Sequence, residues 1–503
     1  MGVIKKLLLI GVVVGIGAVI YPLVVTPQHK LPELKDKWFG KTSLKSGEAF
    51  PKESVAIDKF VVNVSEDVLT DLKRRLESAR YVEPIAGTAF NYGFNSDYLK
   101  KVIAYWRNTY DWRKTETILN QFPQFKTRIH GIDVHFIHVK PSKPAKTVVP
   151  LLITHGWPGS VWEYYKSIPL LIEPTNGVAF EVIVPSIPGY GFSEAPHQEG
   201  FNVMETARIF VKLMNRLNHK RFFVHGGDWG SFVSKTMAQL YPNNVRGMHI
   251  TMAPLVYDGP TIAKMMLGSY FPALVFDDPE RDHKKLFPFL DNFYMILRES
   301  GYFHIQATKP DTVGAALMDS PVGLAAYILE KFSTWTEPKW LNKADGVGAA
   351  LMDSPVGLAA YILEKFSTWT EPKWLNKADG GLTQKFTLDE LLTNIMIYWV
   401  SNNVASSMRY YKENAGLMMD DMNKIPVSVP SAVADFPNEL GHAPKALLRR
   451  TLPNLVQYTD MPRGGHFAAF EEPQLVCDDI KTFVTTVLDI ELSTKDKLKN
   501  TKQ

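Results

Sequence analysis

Hydrophobic positions are unevenly distributed along this chain. Residues 7–25 run for nineteen positions without a charge, flanked by Lys5 and Lys6 on one side and Lys30, Lys35, Lys37 and Lys41 on the other. That length of apolar sequence predicts one helix able to cross a bilayer. Farther on, short apolar and β-rich runs at 148–153, 178–184, 221–224, 245–252 and 427–429 predict buried strands, and the apolar stretch 455–458 predicts a further strand. Stretches of helical character separate them, such as 231–241, where Phe232, Met237 and Leu240 allow a helix. Strands alternating with helices predict an α/β protein with a mostly parallel sheet.

Chemistry enters where the run 221–224 ends. His225-Gly226-Gly227-Asp228-Trp229-Gly230 has the spacing Gly-x-nucleophile-x-Gly of a nucleophile elbow, with a carboxylate, Asp228, in place of the usual serine. A bare Gly-x-Asp-x-Gly also suits an ordinary turn, but strand, sharp turn and helix in succession are the context of an α/β-hydrolase core. A carboxylate needs no base to become nucleophilic at neutral pH. It displaces at saturated carbon and leaves an alkyl ester that water must cleave, so epoxides and alkyl halides are the natural targets.

Two further segments fit this reading. His155-Gly156-Trp157-Pro158-Gly159 follows the run 148–153, where such a fold supplies one donor of its oxyanion hole. The backbone N–H groups of Trp157 and Trp229 are the candidate donors, and Pro158 is a candidate for a cis peptide. The hydrolytic base comes last in chain order, and His466, in Arg463-Gly464-Gly465-His466-Phe467 after the run 455–458, has the best position of thirteen histidines. Its carboxylate partner should lie between nucleophile and base. Glu439, after the run 427–429, is the preferred choice, with Asp435 and Asp421 competing on position.

The segments His-Gly-Trp-Pro-Gly-Ser at 155–160, Pro-Ser-Ile-Pro-Gly-Tyr-Gly-Phe-Ser at 185–193, Gly-Gly-Asp-Trp-Gly-Ser at 226–231 and Arg-Gly-Gly-His-Phe-Ala-Ala-Phe-Glu-Glu-Pro at 463–473 together resemble the microsomal epoxide hydrolase family. The resemblance reaches from the N-terminal anchor to about residue 490. It implies Asp228 as nucleophile, His466 as base and Glu439 as its partner. It also implies two tyrosines as proton donors to the epoxide oxygen, at Tyr302 and Tyr411, with Tyr410 the local competitor. The Trp38-Phe39-Gly40 segment leans toward the insect juvenile hormone epoxide hydrolases. Juvenile hormone and xenobiotic epoxides are thus the expected substrates, with an endoplasmic reticulum membrane location and the catalytic domain on the cytosolic face.

Composition narrows the field. One cysteine, Cys477, excludes an intrachain disulfide, and no segment has the spacing of a zinc site. No cofactor is expected. A formal charge of +4 gives no reason to expect a nucleic-acid partner. The expected partners are a lipophilic epoxide, water and, through residues 7–25, membrane lipid. Two other readings remain at this point. One is a haloalkane dehalogenase-like hydrolase, which would use Trp or Asn halide donors and normally lacks an anchor. The other is an inactive binding protein for lipophilic ligands.

The expected organisation is an anchor (1–25), an N-terminal meander (26–145), a first hydrolase half (146–255), a helical cap (256–415) and a second hydrolase half with a solvated tail (416–503). Inside the cap, residues 313–346 recur without a single change as 347–380. In each copy a Ser-Pro pair, first at Ser320-Pro321, should cap and open a helix, 322–332 in the first. Two copies are too few for a solenoid. Such identity over 34 residues points to a recent duplication or a duplicated exon.

Overall fold

In a computed structural model, residues 31–500 are described, apart from 33–34, 46, 82, 87–94, 291–299, 320–384 and 417–420. Within them, nine strands join in one sheet: β1 (Asp58–Phe60), β2 (Gln124–Ile129), β3 (Ile132–Val139), β4 (Thr147–Thr154), β5 (Val178–Pro185), β6 (Phe222–Gly226), β7 (Val245–Ile250), β8 (Ser431–Asp435) and β9 (Leu455–Asp460). Their order is β1-β2-β3-β5-β4-β6-β7-β8-β9. The first three strands pair antiparallel, ending with β3 on β5, and every pair from β5 to β9 is parallel. All five residues of β6 and of β8 are buried, as expected of parallel strands covered on both faces. This is the α/β-hydrolase fold, and its parallel strands deliver their C-terminal ends to one edge.

The antiparallel edge follows from turn chemistry. His130 and Gly131, both at positive φ, join β2 to β3 in a two-residue hairpin, and that backbone twist matches the flanking strands. A Cβ at Gly131 would meet the Gly40 backbone nitrogen at 2.4 Å, so the preceding meander lies directly on this turn. Phe39, fully buried, packs edge-on against Phe201 at 4.9 Å. From there the N-terminal region reaches across to helix Leu388–Ser401, where Tyr105 donates to Asp389 at 2.9 Å and the Tyr110 hydroxyl meets that of Thr393 at 3.2 Å.

Between β7 and β8 the described chain is helical. Gly259–Tyr270, Gly301–Thr308, Pro310–Asp319, Leu388–Ser401 and Val404–Asn414 are the main elements. Thr387 and Glu390 form a reciprocal capping box that starts Leu388–Ser401. Leu391, Leu392, Ile395, Met396 and Ile397 in this helix are fully buried, in the same core cluster as the sheet. Burying each such side chain is worth roughly 1.5–3 kcal/mol.

One expectation changes. The run 427–429 is not a strand, because Pro426 and Pro430 bracket it and lack the N–H groups a central ladder needs. The strand begins one residue after Pro430, as β8. The Lys- and Thr-rich end of the chain, expected to be solvated, is helical to residue 500 as part of Pro473–Asn500, and its described side chains from 489 on are almost all exposed. Residues 7–25 lie outside the described residues, and among the described residues no helix is long and apolar enough to cross a membrane. Of the duplicated segment only 313–319 are described. The predicted 322–332 helix and the whole second copy lie outside them.

Candidate active site

Asp228 sits between β6 and the helix Trp229–Leu240 at φ 47°, ψ −128°. A non-glycine residue held in such a region costs on the order of 1–3 kcal/mol and persists only where its surroundings enforce it. Here they do. A Cβ at Gly226 would meet the Gly230 carbonyl oxygen at 2.2 Å, and one at Gly230 would meet the Thr154 carbonyl oxygen at 1.9 Å. Only glycine at both positions lets the chain turn this sharply against β4. Asp228 is thereby the N-cap of its helix, where the helix dipole favours a carboxylate.

The turn after β4 faces it. The Trp157 N–H donates to Asp228 Oδ1 at 2.7 Å, and the Trp157–Pro158 peptide is cis as expected. A Cβ at Gly156 would stand 2.2 Å from the same oxygen, so a side chain there would expel the carboxylate. Trp229 is the first residue of its helix, but its N–H makes no hydrogen bond to the carboxylate in this arrangement. The turn is held from above by helix Leu388–Ser401. Tyr398 donates to the Gly159 carbonyl at 2.7 Å, Asn394 donates to the Pro158 carbonyl at 2.8 Å, and Ser160 donates to Asn394 at 2.8 Å. Beneath it, His155 accepts from the Ile187 N–H at 3.1 Å. Burial depresses His155 to about 4, which keeps it neutral.

His466 follows β9 in a loop. Its Nδ1 lies 2.6 Å from Glu439 Oε1 and its Nε2 3.5 Å from Asp228 Oδ2, with both the His466 and Glu439 side chains buried. Burial by itself would lower the imidazolium pKa. The Glu439 and Asp228 carboxylates reverse that and raise it to about 10. The rival carboxylate Asp435 is engaged elsewhere, with His442 at 3.1 Å and Lys285 at 3.2 Å. The other rival, Asp421, opens a short 3-10 turn, Asp421–Lys424.

Tyr302, on Gly301–Thr308, and Tyr411, on Val404–Asn414, are buried side by side with ring centroids 5.9 Å apart. Tyr302 stacks on Trp157 at 5.7 Å, and Tyr411 stands edge-on to Trp157 at 5.5 Å and to Trp229 at 5.0 Å. Both tyrosines thus pack on the residues that flank Asp228. Burial and the Asp228 charge hold the Tyr302 phenol above its ordinary pKa, so it keeps its proton. Tyr410 is placed differently: its hydroxyl lies 2.9 Å from Thr206 Oγ1, on helix Val203–Arg216.

Two carboxylates escaped the sequence reading. Glu471 accepts from the N–H groups on either side of His466, from Gly465 at 2.8 Å and from Phe467 at 2.9 Å, and so fixes the loop. It lies within the segment 463–473, which was its only signal. Glu163, in the 3-10 turn Val161–Tyr164, fills the space a side chain at Gly159 would need: a Cβ there would meet Glu163 Oε1 at 1.4 Å. Burial above all, with the Asp228 charge adding and His466 opposing, pushes its carboxyl up to about 8. Nothing in its local sequence marks it.

Fold and site together define an α/β-hydrolase with a carboxylate at the elbow and a histidine–carboxylate pair beside it. Two family models match the chain, described as "Epoxide hydrolase N terminus" over residues 57–164 and "alpha/beta hydrolase fold" over residues 149–400. "Epoxide hydrolase 1" of Oryctolagus cuniculus is 46% identical over 482 residues, covering 94% of this chain and 97% of that protein. "Juvenile hormone epoxide hydrolase 1" of Ctenocephalides felis is 40% identical over 491 residues, covering 96% of each. The crystal structure of juvenile hormone epoxide hydrolase from the silkworm Bombyx mori superposes with a TM-score of 0.79 at 36% identity, covering 90% of this chain and 99% of that one. The chain belongs to the epoxide hydrolase family and is an epoxide hydrolase of the microsomal type. Over the full length its identity to the rabbit enzyme exceeds that to the flea enzyme, so the leaning of the Trp38-Phe39-Gly40 segment does not extend to the whole chain.

Proposed function

We propose that this enzyme converts lipophilic epoxides to vicinal diols through an ester on Asp228. The observation that carries this reading is the division of labour at the carboxylate: Trp157 N–H holds Oδ1 while Oδ2 faces His466. Oδ2 attacks an epoxide carbon, the C–O bond breaks, and its electron pair stays on the leaving oxygen. A proton from Tyr302 or Tyr411 meets the developing alkoxide. The phenol keeps its proton until then, because burial disfavours the phenolate.

Ester formation removes the Asp228 charge. His466 then loses one of the two carboxylates that raise its proton affinity, at the stage when a base is needed. Water gives a proton to His466 Nε2 and attacks the ester carbonyl. Oδ1 becomes the oxyanion, stabilised by the Trp157 N–H and, in the tetrahedral geometry, the Trp229 N–H. In the collapse the His466 imidazolium gives its proton to the departing alcohol oxygen and the diol leaves; Asp228, now carrying one oxygen from water, loses the second water proton to solvent, from which the tyrosine recovers the proton it gave. Glu439 orients the imidazole and balances the imidazolium.

The aromatic surroundings, Trp157, Trp229, Phe303, Tyr302 and Tyr411, favour an apolar substrate, in the range of juvenile hormone and xenobiotic epoxides. Residues 7–25 would anchor the enzyme in the endoplasmic reticulum membrane, where such molecules partition, with the catalytic domain cytosolic. The paired tyrosines, suited to a leaving oxygen, favour epoxides over alkyl halides.

The test is a single turnover in heavy-oxygen water with a juvenile hormone and with a styrene-type epoxide. A first-turnover diol free of label, with label in Asp228, is the expected result, and label directly in that diol would reject the ester. In parallel, His466→Gln should accumulate one covalent adduct per chain; failure to do so would remove His466 from the role of hydrolytic base.

A further inference from the structure

Away from Asp228, three side chains from separate parts of the sequence converge on one point. His138 belongs to β3, Glu181 to β5, and His219 to the connection between helix Val203–Arg216 and β6. β3 and β5 are neighbours, with His138 opposite Ile183. His219 precedes β6 and Asp228 follows it, so the cluster stands off from the carboxylate of the elbow.

Glu181 Oε1 is 2.7 Å from His138 Nε2 and 3.3 Å from His219 Nε2. The three donor atoms all lie within 4.8 Å of one another, and the residues are half-buried. The imidazole rings are nearly perpendicular, at 86° with centroids 6.4 Å apart, so they do not stack. An ordinary clamp between strands needs one histidine on the carboxylate. The second does not complete such a clamp, because His219 Nε2 is buried without an aligned hydrogen bond. Glu181 itself is a firm anion, held well below the usual carboxylate range by the two histidines.

We propose that His138, Glu181 and His219 form a binding site for a divalent transition-metal ion of the zinc type. Bonds of roughly 2.1 Å to such an ion place tetrahedral ligands about 3.4 Å apart, a spacing these atoms reach by small side-chain rotations. Two imidazoles and a carboxylate suit zinc, cobalt, nickel or copper and leave one position for water. Besides the two histidines, Lys140, 3.8 Å from Glu181 and 72% exposed, is the one partner among the described ion pairs of the carboxylate, and its flexible stem lets it move into solvent. The bound ion would cross-link β3, β5 and the segment leading into β6. Linear spacing could not reveal the site, since 43 and 38 positions separate its members (181 − 138 and 219 − 181).

The full chain, solubilised in detergent and treated with chelator, is titrated with zinc chloride, desalted and analysed for retained metal. One zinc per chain is expected, with cobalt giving a visible ligand-field spectrum of low symmetry. His138→Ala and His219→Ala should each weaken binding at least tenfold and abolish the zinc-dependent rise in Tm seen in the parent. Glu181→Gln, which keeps the shape, decides the matter if either histidine variant loses its far-ultraviolet circular dichroism. No retained zinc, or retention that these variants leave unchanged, would overturn the proposal.

Discussion

The Tyr398 hydroxyl donates to the Gly159 carbonyl at 2.7 Å, so a helix far along the chain closes over the turn whose Trp157 N–H holds Asp228. Both groups are buried, and removing the hydroxyl strands the carbonyl. Tyr398→Phe should therefore lower stability by about 1–3 kcal/mol. Loosening of the turn should also slow ester formation, about tenfold for each 1.4 kcal/mol of lost transition-state stabilisation. Urea denaturation and single-turnover kinetics read the two effects separately, and an unchanged alkylation rate would show that the turn keeps its geometry without this bond.

Tyr302 and Tyr411 stand together against Trp157, with ring centroids 5.9 Å apart. If both serve the leaving oxygen, each single phenylalanine variant should slow alkylation less than the double variant, whose loss should reach roughly 10²–10⁴-fold. Hydrolysis of an ester already formed should be unaffected, because the phenols have no part in it. Rapid-quench measurement of adduct appearance and decay distinguishes these steps. Tyr410→Phe breaks a bond to Thr206 and should leave alkylation near its parent rate.

Glu163 makes stability depend on pH. Its folded pKa, about 8, lies above the unfolded value near 4.5, so between these limits the folded state holds a proton that the unfolded chain has lost. Stability contributed by this group is thus full below about pH 4.5 and declines until pH passes 8. A tenfold difference in proton affinity between the two states corresponds to about 1.4 kcal/mol, so the whole decline amounts to a few kcal/mol. Glu163→Gln should remove this decline and gain on the parent progressively from about pH 5 to about pH 8.5, as measured by denaturant titration at each pH. A constant difference between the two proteins across that range would contradict the assignment.

The repeated segment offers a test by deletion. Leu324, Tyr327, Ile328 and Phe332 recur as Leu358, Tyr361, Ile362 and Phe366, and one slot cannot bury the same apolar face twice. The start of the first copy is already committed: Gly314, in Pro310–Asp319, approaches helix Val404–Asn414 so closely that a Cβ there would meet the Ala405 Cβ at 2.6 Å. Removing residues 313–346 leaves an identical sequence to take that place. The shortened protein should be more soluble and more active towards epoxides, checked by detergent-free yield and diol formation; no gain in either would mean that the duplication does no harm.

The sequence by itself determined the chemistry that depends on neighbours in the chain. The elbow was legible because a turn this sharp demands Gly226 and Gly230 around Asp228, and the strands β4 to β7 because buried parallel strands read as short apolar runs; the apolar stretch 455–458 marked β9, although that strand is only partly buried. The position of β8 was misread: the run 427–429 is the more apolar, yet its flanking prolines cannot serve a central ladder, whereas Ser431–Asp435 gains its place from pairing with β7 and β9. What the tertiary structure alone decided is every relationship between segments distant in the chain. Glu439 is separated from Asp435 by its reach to His466 and by the claims of His442 and Lys285 on its rival. Tyr411 is separated from Tyr410 by the bond to Thr206. Glu163, Glu471 and the convergence of His138, Glu181 and His219 left little or no local mark. Spacing reports the periodicity of a single element, whereas burial, proton affinity and shared ligands arise only when separate elements pack against one another.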